Sequence, residues 1–189
     1  MDGMESISDL LERAEVVILM AGLGGGMGSG ASGELAKMAK QFGSLVLSVV
    51  GLPFAEQPLR CAIAEEALPS LEAHSDVCIR VSMERLAWQS RRRKTNWMLG
   101  SGWIGELVEG LVTTLASVGR INLDLMDMRA IINKTGNATL IVGTGSSENP
   151  SSVVEMARNS PLNDVSIEGA KGCMTVSYTH LTLPTIDRV

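Results

Sequence analysis

Cysteine, histidine and aromatic residues are scarce in this chain, and each scarcity removes a class of chemistry. Three cysteines (Cys61, Cys78, Cys173) are an odd number without CxxC spacing. They exclude a disulfide frame and a thiolate zinc site, and they read as reduced, buried thiols. Two histidines, His74 and His180, leave little for a His-based metal cage or a Ser-His-Asp triad, so no protein metal site is expected. A GxSxG nucleophile elbow is absent from the sequence. No apolar run approaches the roughly 20 residues of a membrane-spanning helix, and Met1 to Glu15 carries acids where an export signal is basic and apolar. The expected setting is the cytoplasm, without an integral membrane segment. Basic excess is also missing: Lys plus Arg number 16 against 21 Asp plus Glu, a net charge of -5, which argues against nucleic acid as a partner.

What remains is a globular composition, 45% hydrophobic and 20% charged over 189 residues, enough for one domain or part of a two-domain protein. Ile7, Leu10 and Leu11 have helical spacing up to Arg13, and Val16 to Met20 is a continuous apolar run of the kind a strand buried on both faces carries. Leu35, Met38, Ala39 and Phe42 predict a helix over Glu34 to Phe42, with Gly43 placed to cap it. Leu45 to Val50 predicts a second strand, Leu59 to Ala73 a second helix and Val77 to Val81 a third strand. Strand and helix alternating at this spacing mean an α/β fold on a parallel sheet. Met83 to Gly105 then gathers Trp88, Trp97 and Trp103 with Arg91 to Lys94, which reads as a solvated basic run. Trp103 to Val118 has a long apolar helix face, Asn122 to Asn133 another helix, Ala138 to Val142 a fourth strand and Val153 to Arg158 a short helix.

Twenty glycines are the compositional anomaly, and six of them fall within the nine residues from Gly22 to Gly30, between the first strand and its helix. A tight turn needs one or two. The surplus predicts that backbone N–H groups approach an anion closely, aided by the partial positive charge of the helix start, so phosphate is the expected ligand. Gly33 is followed by Glu34, which excludes the Lys and Ser/Thr of a P-loop. Gly28 to Gly33 satisfies the GxGxxG spelling, but the next strand ends Val49-Val50-Gly51 without the ribose-binding acid of a dinucleotide fold.

Gly24-Gly25-Gly26-Met27-Gly28-Ser29-Gly30 resembles the tubulin/FtsZ signature GGGTGSG, and the surroundings are similar to FtsZ, particularly its archaeal forms. Val50-Gly51-Leu52-Pro53-Phe54 resembles "VTLPF", Glu56 and Arg60 keep the spacing of "EGxxR", and Ile121 to Asp127 (INLDLMD) resembles "INLDFAD". Asn159 to Leu162 and Ile167 to Gly172 are similar to "SSPLL" and "ISGAKG", so the resemblance runs from about Ser6 to Lys171.

The resemblance implies the second half of a Rossmann-like parallel-sheet GTPase domain, a central helix and the start of a second α/β domain. The expected boundaries are 1–95 for the partial nucleotide domain, 96–118 for the connecting helix and 119–175 for the second unit. The tail 176–189 resembles translated adapter sequence. It implies GTP or GDP as ligand, with Mg2+ held mainly through the phosphates. Gly24, Gly25, Gly26, Met27, Gly28, Ser29 and Gly30 would cradle phosphate, Glu56 would meet the ribose, Arg60 the phosphate end and Trp97 the base. Asn122, Asp124 and Asp127 would be catalytic, polarising water in the pocket of the next subunit of a head-to-tail filament. The implied partner is therefore a second copy, beside unnamed tether or division proteins.

Three residues depart from the pattern: Met27 stands for the signature Thr, Met83 for a base-contacting Asn and Ser101 for the Asp that reads guanine. They imply weaker discrimination of GTP from ATP. The chain also reads as beginning inside the helix before the signature strand, so the earlier phosphate loops are expected to be missing and nucleotide binding by these residues alone to be weak. Two alternatives accompany the leading one: a non-hydrolysing FtsZ-like module that caps or joins filaments, and, resting on GxGxxG alone, a nucleotide-cofactor oxidoreductase.

Overall fold

A computed structural model of the chain describes residues 2–92 together with 112, 125–132, 138, 139, 141, 148–159 and 167–173. Helix α1 (Asp2–Glu12) leads into strand β1 (Val16–Gly22), helix α2 (Gly26–Gln41), strand β2 (Leu45–Leu52), helix α3 (Pro58–His74), strand β3 (Val77–Ser82) and helix α4 (Met83–Arg92). Two further helices follow, α5 (Leu125–Ile132) and α6 (Pro150–Arg158). The strands form a parallel sheet in the order β1-β2-β3, with Val16 opposite Leu45 and Leu47 opposite Val77. The expected α/β class is present. A crossover from each strand to the next, right-handed by the usual chirality rule, puts α2 and α3 on one face of this order.

The central strand β2 explains its own sequence. Its residues Leu45 to Val50 are all buried, because helices cover both faces, so polar alternation would cost burial on one side. On one face Leu19, Val46 and Val50 pack with Ala36 and Ala39 of α2 and Ala64 and Leu71 of α3. On the other, Leu45 and Leu47 meet Met128 and Ile132 of α5, while Val49 and Val81 meet Leu86 of α4. Ser48 is the polar exception in the strand core. Its hydroxyl pairs with that of Ser75 at 2.7 Å, and the Ser75 hydroxyl donates to the Leu71 carbonyl, so neither group is left unsatisfied.

Helix α2 begins eight residues before the expected Glu34. Glycine has poor helix propensity, which pointed to a loop, yet Gly26 to Gly33 are helical, and at Gly28 and Gly33 close packing requires a residue without a Cβ. A Cβ on Gly28 would overlap the Gly22 carbonyl oxygen, and one on Gly33 would lie 2.9 Å from Ser70 Oγ. The helix ends as expected. Gly43 takes φ +84°, its N–H donates to Lys40 O at 3.0 Å and the Ser44 N–H to Ala39 O at 3.1 Å, the paired bonds of a Schellman stop. Strands β1 to β3 and helices α3 and α5 match expectation to within a few residues, whereas α1 starts five residues before Ile7 and helix α4, in a stretch read as a solvated basic run, was not expected. Helix α6 starts earlier than Val153, since Asn149 Oδ1 accepts from Ser152 N–H at 3.2 Å and Pro150 suits the first turn.

None of the three cysteines forms a disulfide, but Cys173 is exposed and Cys61 and Cys78 only half-buried, against the expectation of buried thiols. Cys173 follows Gly172 in a segment without regular structure, away from the sheet core. The connecting helix expected over 96–118 lies outside the described residues except Val112, and the tail 176–189 lies wholly outside them. Of the expected fourth strand, Ala138 bridges Ile79 of β3 in parallel.

Candidate functional site at the C-terminal edge of the sheet

Parallel α/β sheets bind ligands beyond the carboxyl ends of their strands, and the glycine turn follows β1 at that edge. The turn is short: Leu23, Gly24 and Gly25 link the strand to the helix, with the Leu23 N–H held by Gly51 O at 2.9 Å. Gly24 has φ +91°, and a Cβ there would lie 2.8 Å from Arg60 O and 2.9 Å from Arg60 Cβ. Arg60, at the start of α3, is thereby brought directly against the glycine turn. Ser29 braces the turn from inside, its Oγ accepting from the Gly24 N–H at 2.9 Å.

The glycines divide into two groups. Gly24, Gly28 and Gly33 are required by the fold itself, each lacking room for a Cβ. Gly25, Gly26 and Gly30 face open space within 4 Å, so packing within the described residues does not account for them. Helical glycine costs about 1 kcal/mol relative to alanine. A second observation lies at the same place. The residue before α2, Gly25, offers no capping side chain, and the first turn carries no acid. The leading N–H groups of α2 thus have no capping side chain among the described residues, and an anion there would satisfy both the bonds and the dipole.

The rest of the edge is built from the ends of β2 and β3. The Ala55 N–H is held by Glu84 Oε1 at 2.8 Å, which ties the segment before Glu56 to α4; the sequence offered no signal for this role of Glu84. Cys61 Sγ donates to Phe54 O at 3.4 Å across the same segment. Glu56 is exposed on it, beside the start of α3. Met83 opens α4 and packs against the cluster of Val49, Val81 and Leu86, presenting no polar group. Met27 points outward from the turn with 83% of its surface exposed. Among the described residues no cluster of His, Cys, Asp and Glu could hold a metal ion.

Of the expected catalytic residues, only Asp127 is among the described ones. Asn122 and Asp124 fall outside the described residues, as does Trp97, and Asp127 is placed by its backbone in the first turn of α5. Helix α5 is anchored under the opposite, N-terminal edge of the sheet. Met128 is fully buried against Leu45 and Leu47, with Val16 and Val77 beside it, and Arg129 Nη2 donates to Gly43 O at 2.9 Å. Gly43 ends the helix that the glycine turn begins. Sixteen residues at about 1.5 Å each separate the two ends of α2 by about 24 Å. The glycine turn and the contact that anchors the helix bearing Asp127 thus stand at opposite ends of α2.

A parallel sheet whose first crossover helix starts, uncapped, in an open glycine turn is the arrangement of α/β domains of the nucleotide-binding type. Residues 2–89 match the model of the Tubulin/FtsZ family, GTPase domain, and place this chain in the tubulin/FtsZ family, as its motifs implied. The chain is 33% identical over 177 residues to cell division protein FtsZ 1 of Methanocaldococcus jannaschii, covering 92% of this chain and 49% of that protein. With cell division protein FtsZ 2 of Haloferax volcanii it shares 36% over 174 residues, 88% of this chain and 42% of that one. A solved structure of M. jannaschii FtsZ, an empty dimer, superposes with TM-score 0.73 at 32% identity, covering 85% of this chain and 48% of the other. The chain spans about half the length of the curated relatives it matches. Among the described residues no helix is long and apolar enough to cross a membrane.

Proposed function

We propose that this chain contributes the phosphate-cradling turn and the hydrolytic loop of an FtsZ-like, filament-forming GTPase that works in the cytoplasm. The observation that carries the reading is the open, uncapped start of α2, where Gly25, Gly26 and Gly30 leave backbone donors clear for the phosphates of GTP or GDP. Met27 and Gly28 lie on the same turn, Ser29 holds its shape, and Arg60 supplies positive charge beside it. Glu56 accepts from the ribose and Trp97 stacks on the base. Magnesium, bound through phosphate oxygens, would neutralise charge on the transferring group.

Opposite-end placement supports catalysis between subunits. Asp127, with Asn122 and Asp124 close to it in sequence, would orient the attacking water in the pocket of the next copy, because the glycine turn of its own subunit lies at the other end of α2. A contact of this kind does not close on itself, so it propagates as a filament. The test is calorimetric titration with GTP and Mg2+, beside ATP, of the full-length protein that carries this chain and of its Gly26→Glu variant. Binding lost in the variant, which sets a carboxylate at the helix start, supports the reading; equal binding in both, or none in the parent protein, overturns it. Because Met83 offers an apolar side chain, a small preference for GTP over ATP is expected in the same titration. Loss of base contacts also suits the second reading, a module that joins filaments without turnover, and steady phosphate release on assembly would exclude it.

A further inference from the structure

Two methionines stand, strongly exposed, one at each end of the molecule. Met27 lies on the glycine turn, and Met126, 73% exposed, lies in the first turn of α5 next to Asp127. Both occupy positions where the pattern this chain resembles has a small residue, Thr in "GGGTGSG" and Ala in "INLDFAD". Leu59, 75% exposed, adjoins Arg60, whose backbone packs on Gly24, so it shares the edge with Met27. Exposed large apolar side chains are ordinary one at a time. These are not scattered, because each sits within a residue or two of a group argued to act in the site.

We propose that Met126 of one copy of this chain seats against Met27 and Leu59 of the next, forming an apolar rim on the head-to-tail contact. This rests on the reading of the site as shared between subunits. If Asp127 reaches an anion held at the start of the neighbour's α2, Met126, one Cα step of about 3.8 Å away, is carried to the same edge. The Met-for-Thr and Met-for-Ala exchanges then compensate each other: a hydroxyl leaves the receiving edge and an unbranched, adaptable thioether enters from both sides. The apolar contact also holds copies together where each carries net charge -5.

Cross-linking between marked copies tests it. The background carries Cys61→Ser and Cys173→Ser, while Cys78 stays, half-buried and slow to ionise. Met27→Cys copies and Met126→Cys copies, each checked for native circular dichroism, are treated with a short bis-maleimide separately and mixed. The expected result is a covalent dimer in the mixture and little in either sample alone. Dimers in one sample alone, as a symmetric contact would give, overturn the proposal, and so does a mixture that remains monomeric at every attainable concentration. Charge exchange gives an independent check: Met126→Glu should weaken self-association at least about tenfold, and Met27→Lys in the other copy should restore part of it. Titration of the cross-linked sample with GTP separates the two ideas. A mixed dimer without nucleotide binding leaves the contact standing and removes the phosphate reading, whereas nucleotide binding without the mixed dimer overturns the contact alone.

Discussion

Alanine at Gly30 and alanine at Gly28 should act in opposite directions, although the two positions share one helix. Gly30 faces open space, so Gly30→Ala should raise unfolding stability by about 1 kcal/mol while lowering nucleotide affinity. Gly28→Ala should lose about 1–3 kcal/mol by forcing the helix off the Gly22 carbonyl. Urea unfolding and GTP titration read the pair, and unchanged affinity in Gly30→Ala would mean that this glycine serves no ligand. Cys78 offers a second test. Burial, with Glu72 adding and Arg80 opposing, pushes its thiol from 9.0 up to about 11. Unfolded thiol ionises first as pH rises, so the stability it supports is intact below pH 9.0 and is lost through about 11. Unfolding at about pH 8 and about pH 10.5 should show that loss in the parent and a smaller one in Cys78→Ala. Both the Gly28 clash and the Cys78 surroundings were illegible in the sequence, because each depends on a neighbour from another part of the chain.

Elements were more legible than their ends. Apolar runs such as Val16 to Met20 announce strands buried on both faces, and Gly43 announces a helix stop, since both signals come from nearby residues alone. The start of α2 was hidden because glycine's local preference for turns is overridden by packing on β1 and α3. Asp76 joins three elements at the far edge: its carboxylate pairs with Lys40 of α2 and accepts from the Val46 N–H of β2 at 2.9 Å, just before β3. Asp76→Ala strands a buried N–H, so it should lower unfolding stability by about 1–3 kcal/mol in urea titrations. Helix α5 hangs on Met128 and Arg129 in a similar way. Arg129→Ala should quicken amide exchange in α5 while β2 stays protected, because the bond to Gly43 O joins the helix to the sheet without forming part of its core.

On the scale of the molecule, hydrolysis should be recoverable from two inactive partners. In an assembled full-length protein, Asp127→Ala should lower turnover by about 10²- to 10⁴-fold with nucleotide affinity nearly unchanged. Mixed with subunits disabled at Arg60 but intact at Asp127, it should regain turnover. A mixture as inactive as either mutant, with filaments visible by light scattering, would reject the shared site. The sequence by itself determined the class of fold and the family, because periodicity and the glycine run are properties of neighbours along the chain. Tertiary structure alone decided which glycines the fold consumes and which it leaves open, since a missing Cβ has meaning only against the atoms it would meet. It also decided that the glycine turn and the contact anchoring the Asp127 helix lie at opposite ends of α2, about 24 Å apart, a separation that spacing along the chain does not encode because it depends on how elements from different parts of the chain pack.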